Sequence, residues 1–271
     1  MNNNLFSLKD KKILITGGLG LIGRHFAKIV SKNNGCAILI DILEENRGKE
    51  EALKIGENVS YYFCDITSSK SIRNLISDLK KDFGLIDVLV NNAARNPKVE
   101  GEKHDIINYD FENFPETEWD LDISVNITGA FLITKNLYQL IRKNTGVILN
   151  ISSDLGLIAP NQSLYSHLLD SKGKKFYKPV TYSVSKSAII GFTRYLSTYK
   201  IENGIRCNAL APGGIEATND KKFLSKIHDL IPLRRMAKLD DLDGVFIYLI
   251  SSASSYMNGA IVSIDGGRTS W

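Results

Sequence analysis

Cysteine is scarce in this chain of 271 residues. Cys36, Cys64 and Cys207 each sit in or beside an apolar run, and no two form a C-x-x-C pair. That excludes the paired-cysteine redox and metal motifs and leaves buried thiols in a reducing compartment as the plain reading. Long hydrophobic runs are missing as well. None approaches the roughly 18 residues a membrane span requires, so no membrane partner is expected. The start, Met1-Asn2-Asn3-Asn4-Leu5-Phe6, has neither the charged nor the apolar region of a secretion signal, which makes a cytoplasmic protein the expectation. A strong charge of either sign is lacking too. The formal net charge is +4, and the basic residues are scattered along the chain. Nucleic acid is therefore not an expected partner. The four histidines stand far apart in sequence, so no metal site is expected.

What is present suits one α/β domain with a full core: 43% hydrophobic and 24% charged residues, with no repeat, linker or composition shift. Short β-branched runs alternate with helical segments. Strands are expected at 12–16, 36–41, 59–64, 86–90, 147–151, 205–210 and 260–264. Helices are expected at about 20–33, 118–143, 181–202 and 240–251. The strand runs are apolar throughout rather than alternating, which suits a parallel sheet covered on both faces. The expected architecture is a single-domain Rossmann fold over residues 1–271, a doubly wound parallel sheet of about seven strands flanked by helices. Three stretches carry no clear periodicity: 95–117, 154–179 and 213–237. They follow the fourth, fifth and sixth strands, where such sheets form their ligand crevice, and are the expected substrate loops.

Thr16-Gly17-Gly18-Leu19-Gly20-Leu21-Ile22-Gly23 joins the first strand to the first helix. Gly17, Gly20 and Gly23 allow a tight turn, close approach to a pyrophosphate and helix–strand packing. The helix N-terminus adds N–H groups and partial positive charge. The second strand ends in Asp41, suited to accept from the adenine-ribose hydroxyls and to repel a 2′-phosphate. NAD is therefore expected over NADP. A strand-end Asp that merely caps a turn is the alternative, and Arg24 and Arg47 are nearby cations that would weaken the preference.

Tyr182-Ser183-Val184-Ser185-Lys186 opens an expected helix. A spacing of four places phenol and ammonium on one face. A free phenol titrates near pH 10, and a lysine one turn away together with a positive nicotinamide favours its ionised form. The pair is a weak signal alone and gains weight from its company: the glycine loop, Asp65, Asn91-Asn92-Ala93-Ala94, Asn126, Ser152-Ser153 and Pro212-Gly213, in that order. On these motifs the chain resembles the short-chain dehydrogenase/reductase family over about residues 10 to 267.

The resemblance implies that Tyr182 is the general acid/base, that Lys186 lowers its pKa and binds the nicotinamide ribose, that Ser153 bonds the substrate oxygen, and that Asn126 holds a water relaying protons to Lys186. It also implies that Gly17, Gly20, Leu21, Ile22, Asp41, Asp65, Ile66, Ala93, Tyr182, Lys186, Pro212, Gly213 and Ile215 surround the cofactor, and that Asn91 belongs to the cofactor site by bracing the sheet beside it. Leu21 stands where one large subgroup of the family has its middle glycine, and Gly20 takes its place. Ala94 stands where glycine is usual. The family usually forms dimers or tetramers through two long helices, here near 118–143 and 181–202, and Phe131, Ile189 and Phe192 would suit such a face.

Ser153 and Tyr182 stand 29 positions apart, roughly twice the family's usual gap. With the terminal Asp265-Gly266-Gly267-Arg268-Thr269-Ser270-Trp271, this stretch resembles bacterial flagellin-modification oxidoreductases tied to legionaminic acid synthesis. That implies a sugar or sugar-phosphate substrate. The inserted stretch reads as hydroxyls, amides and lysines rather than a greasy lining. Lys172, Lys174, Lys175, Lys221, Lys222, Arg234 and Arg235 are available to a phosphate, although solvated loop charge is the plainer reading for most. His167 and His228 are available as polar contacts, although surface placement is the plainer reading. An NADP-dependent 3-ketoacyl-type reductase and a non-catalytic NAD-binding regulator are the alternatives.

Overall fold

In the computed structural model, residues 4–96, 110–169, 173–217 and 220–271 are described. The strands are β1 (Lys12–Thr16), β2 (Cys36–Asp41), β3 (Val59–Phe63), β4 (Val88–Asn91), β5 (Val147–Ile151), β6 (Arg206–Pro212) and β7 (Ile261–Ile264). They pair in the order β3-β2-β1-β4-β5-β6-β7, every pair parallel. The expected seven-stranded doubly wound sheet is what forms, as one α/β domain.

Alternation of side chains along each strand splits the apolar runs between two cores. Ile13, Ile15, Leu39, Val88 and Val90 face helices α1 (Leu21–Lys32) and α8 (Asp243–Ile250), where Phe26 and Phe246 stack with centroids 3.8 Å apart. Leu14, Ile38, Ile40 and Leu89 face α3 (Ser69–Asp82), α5 (Ala130–Leu137) and α6 (Val180–Thr198). Both faces of the central strands are therefore dry, while the edge strands β3 and β7 keep residues in contact with solvent. Each residue removed from water contributes in proportion to the apolar area it hides, about 25 cal/mol per Å².

Several local expectations are corrected. Glu45–Leu53 (α2) and Ser69–Asp82 are helices that the periodicity did not single out. Charged residues dominate the first, and Ser68 and Glu44 cap them through side-chain oxygens. The single helix expected over 118–143 is instead α4 (Glu116–Ile123), a π-helical turn (Ser124–Gly129), α5, and a 3₁₀ turn (Tyr138–Leu140). Lys221–Asp229 (α7) lies inside the stretch 213–237, capped by Asp220. Phe131 is exposed, whereas Ile189 is buried, so the expected apolar face loses one of its members to the core. Among the described residues no helix is long and apolar enough to cross a membrane.

The order places β1 beside β4, and the chain leaves these two strands in opposite directions. A crevice opens at their carboxyl ends. The loops after β1, β4, β5 and β6 all reach it.

Candidate active site

A cleft of about 1440 Å³ runs along the carboxyl edge of the sheet. One half is built by the loop after β1. Gly17 adopts φ +61°, and a Cβ there would meet the Cα of Ala93 at 2.8 Å. A Cβ on Gly23 would lie 2.3 Å from the carbonyl oxygen of Gly17. These two glycines therefore let the loop fold onto β4 and onto α1. Gly20 sits at the N-cap of α1 and offers no side chain to its orphan N–H groups, and no acidic residue occupies the first turn. An uncapped helix start opening on a cleft is a site for a phosphate oxyanion. The residues present thus fit a dinucleotide.

Asp41 anchors this half. Its carboxylate accepts from the Leu19 amide at 3.0 Å and the Ile42 amide at 2.8 Å. Arg24, beside it on the cleft wall, is held by Glu51 at 2.8 Å and donates to the Leu19 carbonyl at 2.7 Å. Asp65 accepts from the amide and hydroxyl of Thr67, and Ile66 packs on Gly129. Asn92, which the motif reading passed over as a site residue, donates to the carbonyls of Thr16 and Gly17 and so ties the two crevice loops together.

Of the residues expected around the cofactor, Gly17, Gly20, Leu21, Ile22, Asp41, Asp65, Ile66, Ala93, Tyr182, Lys186, Pro212, Gly213 and Ile215 line the cleft. Asn91 does not. It is buried in the sheet, donating to Thr134 at 2.9 Å and to Asn150 at 2.7 Å.

Ser153, Tyr182 and Lys186 meet at the other half. Ser153 follows β5, and the first two turns of α6 present Tyr182 and Lys186. Lys186 is buried. It donates to the Ile151 carbonyl at 2.9 Å, and its ammonium lies 5.9 Å from the centre of the Tyr182 ring. Burial, reinforced by the charge of Lys178, pushes the Lys186 pKa down to about 8. Burial raises the Tyr182 phenol above its ordinary value; the Ser153 hydroxyl pulls it down and the Asp154 carboxylate pushes it up. The protein's own groups therefore do not by themselves make the phenol acidic, and the expected help of a positive nicotinamide comes on top of them. In this geometry the lysine is the first of the two to lose its proton as pH rises.

Asn126 lies off the cleft wall. The π turn aims its amide at Arg95: it accepts from the Arg95 amide at 2.7 Å and donates to the Arg95 carbonyl at 3.0 Å and the Ser185 hydroxyl at 3.3 Å. π turns recur at functional sites for this reason, since one extra residue redirects a side chain. Arg95 in turn pairs with Asp122 at 2.5 Å and Glu118 at 2.6 Å, and Thr181, next to Tyr182, donates to Asp122. The loop after β4 is thereby fastened to the start of α6.

Four contributors had no sequence signal. Lys178 lies over the Tyr182 ring at 4.0 Å. Arg268 reaches from the C-terminal turn to Asp154 at 2.5 Å. Asp154 accepts from the Ser153 hydroxyl at 2.8 Å. Leu164, Tyr165, Phe223, Ile227 and Met236 form an apolar wall joining the stretch 154–179 to α7. The inserted stretch therefore turns Leu164 and Tyr165 toward the cleft along with Lys178, contrary to the polar lining expected. Lys174, Lys175, Lys221 and Lys222 are exposed, while Arg234 and Arg235 pair with Asp229 and Asp241. Lys172, and residues 97–109 of the first substrate loop, lie outside the described residues. His167 is not a surface residue; it is partly buried and bonds Asp220 at 2.9 Å.

A family model described as enoyl-(acyl carrier protein) reductase matches residues 20–269. A 3-oxoacyl-(acyl-carrier-protein) reductase of Thermotoga maritima is 30% identical, over 96% of this chain and 98% of its own length. A 2-dehydro-3-deoxy-D-gluconate 5-dehydrogenase of Dickeya dadantii is 30% identical, over 97% of each. The crystal structure of a short chain dehydrogenase from Leptospira borgpetersenii with bound NAD+ superposes with a TM-score of 0.83 at 29% identity, covering 99% of this chain and 96% of that one. The chain belongs to the short-chain dehydrogenase/reductase family and is an NAD(P)-dependent oxidoreductase.

Proposed function

We propose that this enzyme uses NAD to interconvert an alcohol and a carbonyl on a polar substrate, a sugar or sugar phosphate used in building bacterial surface glycan such as modified flagellin. The observation that carries the reading is the convergence of Ser153, Tyr182 and Lys186 at one end of a cleft whose other end carries Asp41. When bound, the nicotinamide supplies the hydride acceptor or donor. Tyr182 gives or takes the proton at the substrate oxygen, and Ser153 bonds that oxygen. Lys186 holds positive charge beside the phenol, and Asn126 steadies the loop after β4 and the first turns of α6. Asp41 favours NAD because a carboxylate there opposes a 2′-phosphate, and Glu51 holds the nearby Arg24. The long stretch between Ser153 and Tyr182 and the C-terminal turn support the glycan role, as does a relative named for a sugar acid.

Substrate contact falls to the loops 154–179 and 213–237 and, by the same reasoning, to 95–117. The apolar wall and the acyl-carrier relative favour a second reading, reduction of a 3-ketoacyl thioester. A screen of sugars, sugar acids, sugar phosphates and acetoacetyl-CoA with NAD and NADP separately, followed by nicotinamide absorbance, decides between them. Tyr182→Phe should abolish turnover by at least about a thousandfold while leaving NAD affinity within twofold. Undiminished turnover would remove Tyr182 from the chemistry.

A further inference from the structure

Asp154 and Arg268 form a buried ion pair on the cleft wall, with side chains 3% and 8% exposed. Taking two charges out of water is costly unless every lone pair and proton finds a partner. The two members differ sharply in this respect. The Asp154 carboxylate is well supplied: it accepts from the Ser153 hydroxyl at 2.8 Å, the Leu155 amide at 2.8 Å and the Arg268 guanidinium at 2.5 Å. A guanidinium carries five N–H donors in a planar fork. Among the described residues the Arg268 side chain makes one hydrogen bond, the one to Asp154. None of its other nitrogens is among the buried atoms left without a partner. The Arg268 side chain is part of the cleft lining.

The chain goes to some length to put the fork there. Arg268 stands three residues before the C-terminus, after Gly266 and Gly267, both with positive φ of 66° and 90°. A Cβ at Gly267 would meet the Pro232 ring at 2.9 Å. Asp265 ties the turn down by accepting from the amides of Gly267 and Thr269, both at 2.9 Å. Through Asp154 the fork is one side chain removed from Ser153, and so from the phenol.

We infer that Arg268 binds an oxyanion of the substrate, a carboxylate or a phosphate carried near the reacting carbon, with Asp154 serving to fix the fork. This rests on the polar-substrate reading and narrows it. Planar, two-pronged recognition of carboxylate and phosphate is what a guanidinium does better than an ammonium.

The test is calorimetric titration of the NAD-loaded enzyme with three probes: D-gluconate for a carboxylate, D-glucose 6-phosphate for a phosphate, and neutral D-glucitol. At least one anion should bind and glucitol should bind at least about tenfold more weakly. Which anion binds identifies the source of the charge. Arg268→Gln should weaken that anion by about tenfold or more, with NAD affinity close to that of the parent; its melting temperature should fall, because Asp154 loses its partner, so binding is measured well below the transition. Arg268→Lys keeps the charge without the fork, folds more safely, and should fall between. The inference is overturned if glucitol binds as well as the anions, or if both variants bind the anion as tightly as the parent. In those two cases the polar-substrate reading still stands. It is also overturned if no probe binds while acetoacetyl-CoA does, and then that reading falls with it.

Discussion

Replacing Lys186 by Met tests the electrostatics on which the proposed acid/base depends. The ammonium is 5.9 Å from the centre of the Tyr182 ring. At an effective dielectric of about 20, two unit charges at that distance attract by about 2.8 kcal/mol, equivalent to roughly two pH units. The attraction favours phenolate, so it lowers the phenol pKa, and removing it raises that pKa. It acts only while Lys186 is protonated. Burial and Lys178 bring the lysine to about 8, so the help is full well below pH 8 and lost above it. The measurement needs no substrate. The absorbance of ionised tyrosine near 295 nm is titrated in NAD-saturated enzyme, and the Tyr182→Phe curve is subtracted to isolate this one phenol. The same subtraction is then made in the Lys186→Met background. With the positive nicotinamide bound, the isolated midpoint should lie below pH 8, where Lys186 is still charged, and should move up by roughly two pH units in the Lys186→Met background. A midpoint that stays put or moves down would refute the idea that the ammonium tunes the phenol, leaving Lys186 a ligand for the ribose alone.

Asp41→Ser should raise affinity for NADP by about tenfold to a hundredfold, since like charges a few ångströms apart near a surface repel by up to about 4 kcal/mol; fluorescence titration with NADPH checks it, and unchanged NADPH affinity would mean that Asp41 merely anchors the loop. Gly23→Ala drives a Cβ to 2.3 Å from the Gly17 carbonyl oxygen and should weaken NAD binding at least about tenfold, an outcome read by the same titration. Phe246→Ala empties a fully buried site stacked on Phe26 and should cost about 3 to 5 kcal/mol in urea unfolding, with an unaltered cofactor preference.

The seven strands were legible because a parallel sheet buried on both faces demands unbroken apolar runs, and Ile13 to Ile15 or Ile38 to Ile40 can be little else. The glycine loop was legible because positive φ and close backbone contact leave little choice of residue. The helices 45–53 and 69–82 were less visible: the first buries only Gly48 and Ala52, and the second three residues in 14. Periodicity fades when a helix touches the core so lightly.

Residue type and order along the chain determined the sheet, the crevice at its carboxyl edge and the candidates Ser153, Tyr182 and Lys186. Tertiary structure alone decided which candidates face the cleft, turning Asn126 toward Arg95 and Asn91 into the sheet, and it brought Arg268 to Asp154 across 114 positions. The physical reason is range. Backbone geometry and apolar patterning act over a few neighbours and leave a trace in local sequence, whereas a buried charge finds its partner through the packing of distant segments, which no local pattern records.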